Sequence, residues 1–198
     1  MRIYWTGGPP SWAYVVIVSA WWVTVLYFIG AALRTKRIKH REPFGARLLD
    51  TALLFGGYFL MFSQAPVFGT AHLHFVAPQK ALQIAGVVLT YVGLPLTVWS
   101  RVRLGRYWSG VVALKQDHRL IQSGPYRVVR HPLYSGLILA VIGFSLCVTT
   151  WSSLLAILSF VVCFERRAYK EDALLAAEFG AEFEAYRQRT GRLIPRLN

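Results

Sequence analysis

The sequence has two places where residue types and spacing could do chemistry. Arg130-His131-Pro132 stands at the mouth of the uncharged run Leu133–Phe164, and Arg167 and Glu171 stand just past its far end. Proline is favoured in the first turn of a helix, because its missing N–H would be unpaired there anyway. The residues before it crowd the positive end of the helix dipole, which suits an anion better than an arginine and a histidine. Two readings follow: these cations face a negatively charged ligand, or they anchor a helix at a water boundary. Arg167 and Glu171, four apart, share a helical face. As an exposed ion pair they would be worth roughly 0.2–0.5 kcal/mol; facing a pocket, they could orient ligands. The neighbouring Arg166, Lys170 and Asp172 look like a solvated charged face. No Ser-His-Asp set, glycine-rich phosphate loop or metal cluster is visible. His72 and His74 have no third ligand close by, and Cys147 and Cys163 read as small buried hydrophobes.

The elements that must position these residues are membrane helices. Of 198 residues, 55% are hydrophobic and 16% charged, whereas soluble domains are about a quarter charged. The formal net charge is +13, but the cations lie between apolar runs and no recognition helix or basic groove accompanies them, so nucleic acid is excluded as a partner. A span needs about 20 apolar residues. Trp12–Leu33, Leu48–Phe68 and Ala81–Ser100, the last kinked at Pro95, meet that, with Asp50 near the headgroups. Leu133–Phe164 as one helix would reach about 48 Å, too long for the bilayer. The small, polar "TTWSS" therefore predicts a tight turn, with Leu133–Thr149 leading in and Trp151–Phe164 returning. That makes five spans in an all-α fold.

Lys and Arg are distributed unevenly along this layout. The N-terminal tail and the loop between spans two and three carry one each, against six between the first two spans, seven in Arg101–Arg130 and seven after Phe164. The positive-inside rule then puts the N-terminus outside and the C-terminus in the cytoplasm, with both chemical blocks on the cytoplasmic face. The same rule accounts for Arg101, Arg103, Arg106 and Arg119 as anchors. Beyond Phe164, Leu175, Phe179, Phe183 and Tyr186 recur on one face and predict an amphipathic helix bent at Gly180.

Three strings, "LGRYWS", "HRLIQSGPYRVVRHPLYSG" and "EFGAEFEAYRQRTGRLIP", together resemble the isoprenylcysteine carboxyl methyltransferase family, which takes in bacterial phospholipid methyltransferase-like proteins. The likeness covers roughly residues 100–196. It implies an integral membrane enzyme that uses S-adenosylmethionine, with residues 1–100 as a three-span membrane region and 101–198 as the methyltransferase-like region. Carried over residue by residue, the cofactor contacts fall on His118, Arg119, Leu120, Ile121, Tyr126, His131, Pro132, Leu133, Tyr134 and Glu171. Arg167 matches an arginine on the substrate side. Ala113 stands where some relatives carry a polar cofactor contact.

These residue types suit that chemistry. Glu171 could accept from hydroxyls or an ammonium, and His131 could donate to a carboxylate. Tyr126 and Tyr134 offer faces to an adenine or a sulfonium. A carboxylate acceptor needs only a cation to orient it, a catalytic task for Arg167 or Arg130. The expected substrate is the carboxylate of a prenylated cysteine or a similar amphiphile arriving from the bilayer. Two alternatives stand beside it: an aminophospholipid N-methyltransferase, which needs a base such as Glu171 or Asp172, and a non-catalytic scaffold or reductase relative.

Overall fold

The computed structural model describes residues 12–62, 74–77 and 79–196; the tail containing Trp5, the end of the second expected span and His72 lie outside them. Helices α1 (Trp12–Ala32), α2 (Phe44–Phe62) and α3 (Lys80–Leu104) are each long and apolar enough to cross a membrane. Helix α4 (Pro132–Val148) is apolar and shorter, and α5 (Trp151–Phe179) and α6 (Ala181–Arg189) complete the helical set. The protein is a helical integral membrane protein.

Small residues set the tightest packing, between α3 and α4. A Cβ at Gly93 would lie 2.5 Å from the Gly136 carbonyl oxygen, and one at Gly86 would lie 2.5 Å from that of Gly143. Thr90 and Thr97 sit one turn beyond these glycines and return their hydroxyls to Gly86 O and Gly93 O at 2.9 and 3.0 Å. Close backbone approach is how helices associate where lipid removes the hydrophobic driving force. The aromatic core lies on the other side of α4, where Tyr58 meets Phe160 edge-on at 4.9 Å and Trp21 meets Tyr58 at 6.0 Å.

The turn expected at "TTWSS" joins α4 to α5. Thr149 takes the left-handed conformation at φ 51°, and Thr150 caps α5 by accepting from the Ser153 N–H. One expectation needs correction. Helix α5 does not end at Phe164: it runs 29 residues, because "ERRAYKEDALLAAEF" contains only residues a helix tolerates and no breaker before Gly180, at φ 51°. The amphipathic stripe is therefore shared, with Leu175 and Phe179 on α5 and the buried Phe183 and Tyr186 on α6. Asp50 has an internal role beyond its place near the start of the second span. It is 2% exposed, held by Arg166 Nε at 2.9 Å and Lys170 Nζ at 2.7 Å, and fastens α2 to α5. The basic segment after α1 also forms a strand, β1 (Ile38–Arg41), antiparallel to β2 (Ala113–Lys115) with Arg41 opposite Ala113.

Candidate active site

The turn into α4 is pinned from the C-terminal tail. The backbone N–H groups of Arg130 and His131 donate to Gly191 O and Arg192 O at 2.8 and 3.0 Å, and Ser135 Oγ donates to Leu193 O at 2.6 Å. Pro132 then opens α4 in its first turn. Because α5 continues past the apolar region, it brings Glu171 and Asp172 beneath this turn.

His131, 6% exposed, is clamped between the two carboxylates: Nε2 lies 2.9 Å from Asp172 Oδ1 and Nδ1 lies 3.2 Å from Glu171 Oε2. Acceptors on both nitrogens call for two donors, hence an imidazolium. Burial alone would lower the His131 pKa, but hydrogen bonds and charge from Asp172 and Glu171 outweigh it and raise the pKa. Tyr134, its ring parallel to that of His131, donates its hydroxyl to Glu171 Oε1 at 2.6 Å. Asp172 also receives Arg130 Nη2 and Arg192 Nε, each at 3.2 Å. Burial would raise its pKa, but His131 and Arg130 hold it below the ordinary carboxylate range.

The negative charge expected opposite Arg130 and His131 is thus supplied first from within the chain. Arg130 commits Nε and Nη2 to Asp172, and Nη1 to Thr190 O at 2.5 Å and Arg187 O at 3.3 Å. Asp172 is not part of a solvated face: it is 7% exposed and the hub of this network. The signal in the sequence was the excess of cations over acids around it. Arg167 and Glu171 form no ion pair with each other among the described residues. Arg167 is 8% exposed, donates from Nη1 to Gly110 O at 3.2 Å, and has a buried Nε without a partner.

Two cavities adjoin this network. The first is a cleft of mixed polar and apolar lining, the more polar of the two, whose walls include His118, Arg119, Leu120, Ile121 and Tyr126 from the loop. Its floor includes Arg130, His131, Leu133, Tyr134 and Glu171. Ala113 lines it, whereas Pro132 does not. Leu174, Leu175 and Tyr186, outside the carried-over set, extend it. His118 Nδ1 is buried there without a partner; burial lowers that imidazole's pKa, with Glu171 and Glu178 pulling the other way. The second cavity, about 590 Å³, is walled by apolar side chains of α1, α2, α4 and α5, with Arg167 at its polar end. Leu133, Tyr134, Trp108 and Ser109 line both cavities. An orphaned ring nitrogen, a carboxylate and a tyrosine face in the cleft fit a nucleoside-bearing cofactor.

Residues 85–177 match the model of the Isoprenylcysteine carboxyl methyltransferase (ICMT) family. The chain is 35% identical over 97 residues to the protein-S-isoprenylcysteine O-methyltransferase of Schizosaccharomyces pombe, spanning 48% of this chain and 41% of that one. It is also 35% identical over 105 residues to the cobalt-zinc-cadmium resistance protein CzcN of Cupriavidus metallidurans, spanning 50% of this chain and 46% of that one. The chain thus spans under half the length of either relative. A solved structure of the eukaryotic intramembrane Ras methyltransferase ICMT superposes with a TM-score of 0.55 at 23% identity, covering 73% of this chain and 51% of that one, a likeness of fold. The part of the chain that carries the Arg130–Tyr134 turn, Arg167 and Glu171 is thus similar to the isoprenylcysteine carboxyl methyltransferase family.

Proposed function

We propose that this protein is a membrane-embedded S-adenosylmethionine-dependent methyltransferase acting on the carboxylate of a prenylated cysteine or a similar amphiphile. The observation that carries this reading is the meeting of the mixed cleft, which holds His118, His131 and Glu171, and the apolar cavity at Leu133 and Tyr134, with Arg167 at the apolar side of the junction. The mixed cleft suits a charged, nucleoside-bearing donor. An apolar cavity of about 590 Å³ lies within the size range of pockets that enclose small ligands, about 300–1,000 Å³, and suits a lipid chain.

In this reading His118 to Ile121, Tyr126, His131, Leu133, Tyr134 and Glu171 hold the cofactor. When bound, it supplies a methyl group activated by a sulfonium. Glu171, oriented by Tyr134 and His131, accepts hydrogen bonds from the cofactor's hydroxyl or ammonium groups. The unpartnered Nε of Arg167 orients the acceptor carboxylate, which is already deprotonated at neutral pH, so no residue has to take a proton. Arg130 acts through Asp172 as a positioning residue. Aminophospholipid N-methylation would require a free base, and the oxygens of Glu171 and Asp172 are engaged by Tyr134, His131, Arg130 and Arg192, which favours the carboxylate acceptor. Helices α1 and α2 shape the lipid cavity and residues 101–198 the mixed cleft. The membrane is crossed five times, with the N-terminus outside and the site at the cytoplasmic face, the arrangement supported by the Lys and Arg counts.

The test is a division of labour. Arg167→Ala should impair use of the acceptor while cofactor affinity, measured by calorimetry, stays nearly intact; Arg167→Lys should restore only part, because a point charge does not reproduce the guanidinium fork. Glu171→Gln should do the reverse. Equal loss of one parameter in both variants, or loss in neither, contradicts the proposal.

A further inference from the structure

The segment Trp108-Ser109-Gly110 lies where the two cavities meet, and its anchoring is more elaborate than a loop requires. Trp108 and Ser109 line both, and Gly110 lines the apolar one. The Trp108 ring packs edge-on against Phe28 of α1 at 5.4 Å and is covered by the Arg101 guanidinium at 4.6 Å. Arg101 is itself 3% exposed. Its Nη1 donates to Gly105 O at 2.6 Å and its Nη2 to Ala31 O at 2.7 Å, so one side chain ties the ends of α3 and α1 together above the indole. A buried arginine that satisfies helix-end carbonyls is held in place, and its face over the ring adds a cation–π attraction. Two residues on, a Cβ at Gly110 would lie 3.6 Å from the indole, and the Gly110 carbonyl receives Arg167 Nη1 at 3.2 Å.

From this arrangement we infer that Trp108 is the partition between the donor cleft and the acceptor cavity, fixed by Arg101, and that it sets the alignment of the two ligands. The inference rests on the two-cavity reading proposed above. A wall that touches both sites aligns bound reactants without supplying the principal grip on either. Removing it should therefore leave binding largely in place and degrade the geometry at the junction, where misplacement by about 1 Å can cost about a hundredfold in rate.

The experiment uses the full chain in detergent. S-adenosylhomocysteine serves as the donor-site probe and a farnesylated cysteine analogue as the acceptor. In Trp108→Ala, kcat should fall by about tenfold to a hundredfold, with the S-adenosylhomocysteine Kd and the acceptor KM each within about threefold of the parent. Indole emission supplies a second readout at the donor cleft, where Trp108 is the only tryptophan among the described lining residues, whereas Trp21 and Trp22 also line the apolar cavity: in the parent S-adenosylhomocysteine alone should change the emission, and in Trp108→Phe that change should be largely lost. Trp108→Phe keeps a ring and should retain more turnover than Trp108→Ala; if the alanine variant does not fold, the phenylalanine variant's emission decides. Parent-like kcat in Trp108→Ala, a loss confined to one ligand's affinity, or an unchanged emission response in Trp108→Phe would each overturn the partition while leaving the methyltransferase reading intact. Failure of the parent to bind either probe would instead sink the reading on which the partition rests.

Discussion

Replacing Asp172 by asparagine should remove the hub beneath the turn into α4, and the structure sets the size of the effect. The carboxylate receives Arg130 and Arg192, each at 3.2 Å, and His131 at 2.9 Å. With side-chain exposures of 7% and 10% for the Arg130–Asp172 pair, solvent screens little of the interaction. Breaking a buried pair by deleting one partner costs about 3–5 kcal/mol. Asparagine keeps one accepting oxygen, so the lower end, about 3 kcal/mol, applies; for a chain of this size it lowers Tm by about 6–12 °C. The pH dependence is a second signature. Burial opposes the shift, but the partners of His131 raise its pKa above the ordinary 6.5. Its contribution is therefore complete below that value and drains away as pH rises through the raised folded pKa. Asp172, depressed by His131 and Arg130 against burial, contributes at neutral pH and loses its contribution on acidification. The parent should thus lose stability as pH rises above about 6.5 through the raised His131 pKa, and Asp172→Asn should lose less there, because His131 keeps only Glu171. Thermal melts across this range provide the measurement. A drop of less than about 2 °C at pH 7, or an unchanged alkaline slope, would refute the hub.

Other outcomes follow from the same geometry. Gly93→Ala should destabilise by about 1–3 kcal/mol through overpacking against backbone, whereas Gly30→Ala, with open space around its Cα, should not; melts of the two compare them. His131→Ala should weaken S-adenosylmethionine binding by roughly tenfold to a hundredfold, the loss of a charge-assisted hydrogen bond, and unchanged calorimetric affinity would return His131 to a purely structural role. For topology, whole-cell thiol labelling should modify Gln79→Cys and spare Asp117→Cys, since the charge count puts Gln79 outside and Asp117 in the cytoplasm; reaction of the second from outside would overturn the orientation.

Much of this architecture is legible where local chemistry and the membrane agree. Thr149 and Thr150 mark the α4–α5 turn because small polar residues interrupt a run too long for one crossing, and Pro132 and Gly180 punctuate as their backbone preferences dictate. The misreadings arise where a side chain's partner is distant in sequence. Charge after Phe164 resembles the end of a helix, yet Arg166 and Lys170 are drawn back along α5 to Asp50, more than a hundred positions away. Asp172 reads as solvated until Arg130 and Arg192 are seen to converge on it. Strand β2 is three residues long, too short for any alternation, and exists only because β1 lies alongside. The cleft residues are reached through the family resemblance, while Trp108 and Tyr186 lie inside the strings that carry it but show their place in the cleft only in the folded chain.

The central claim is most directly tested by transfer of labelled methyl from S-adenosylmethionine, using purified protein offered a farnesylated cysteine analogue or extracted aminophospholipid. The account predicts base-labile methyl ester on the prenylcysteine, dependent on Arg167, and no label in the phospholipid amine. Label in the phospholipid alone, or in neither acceptor while the cofactor binds, would contradict it.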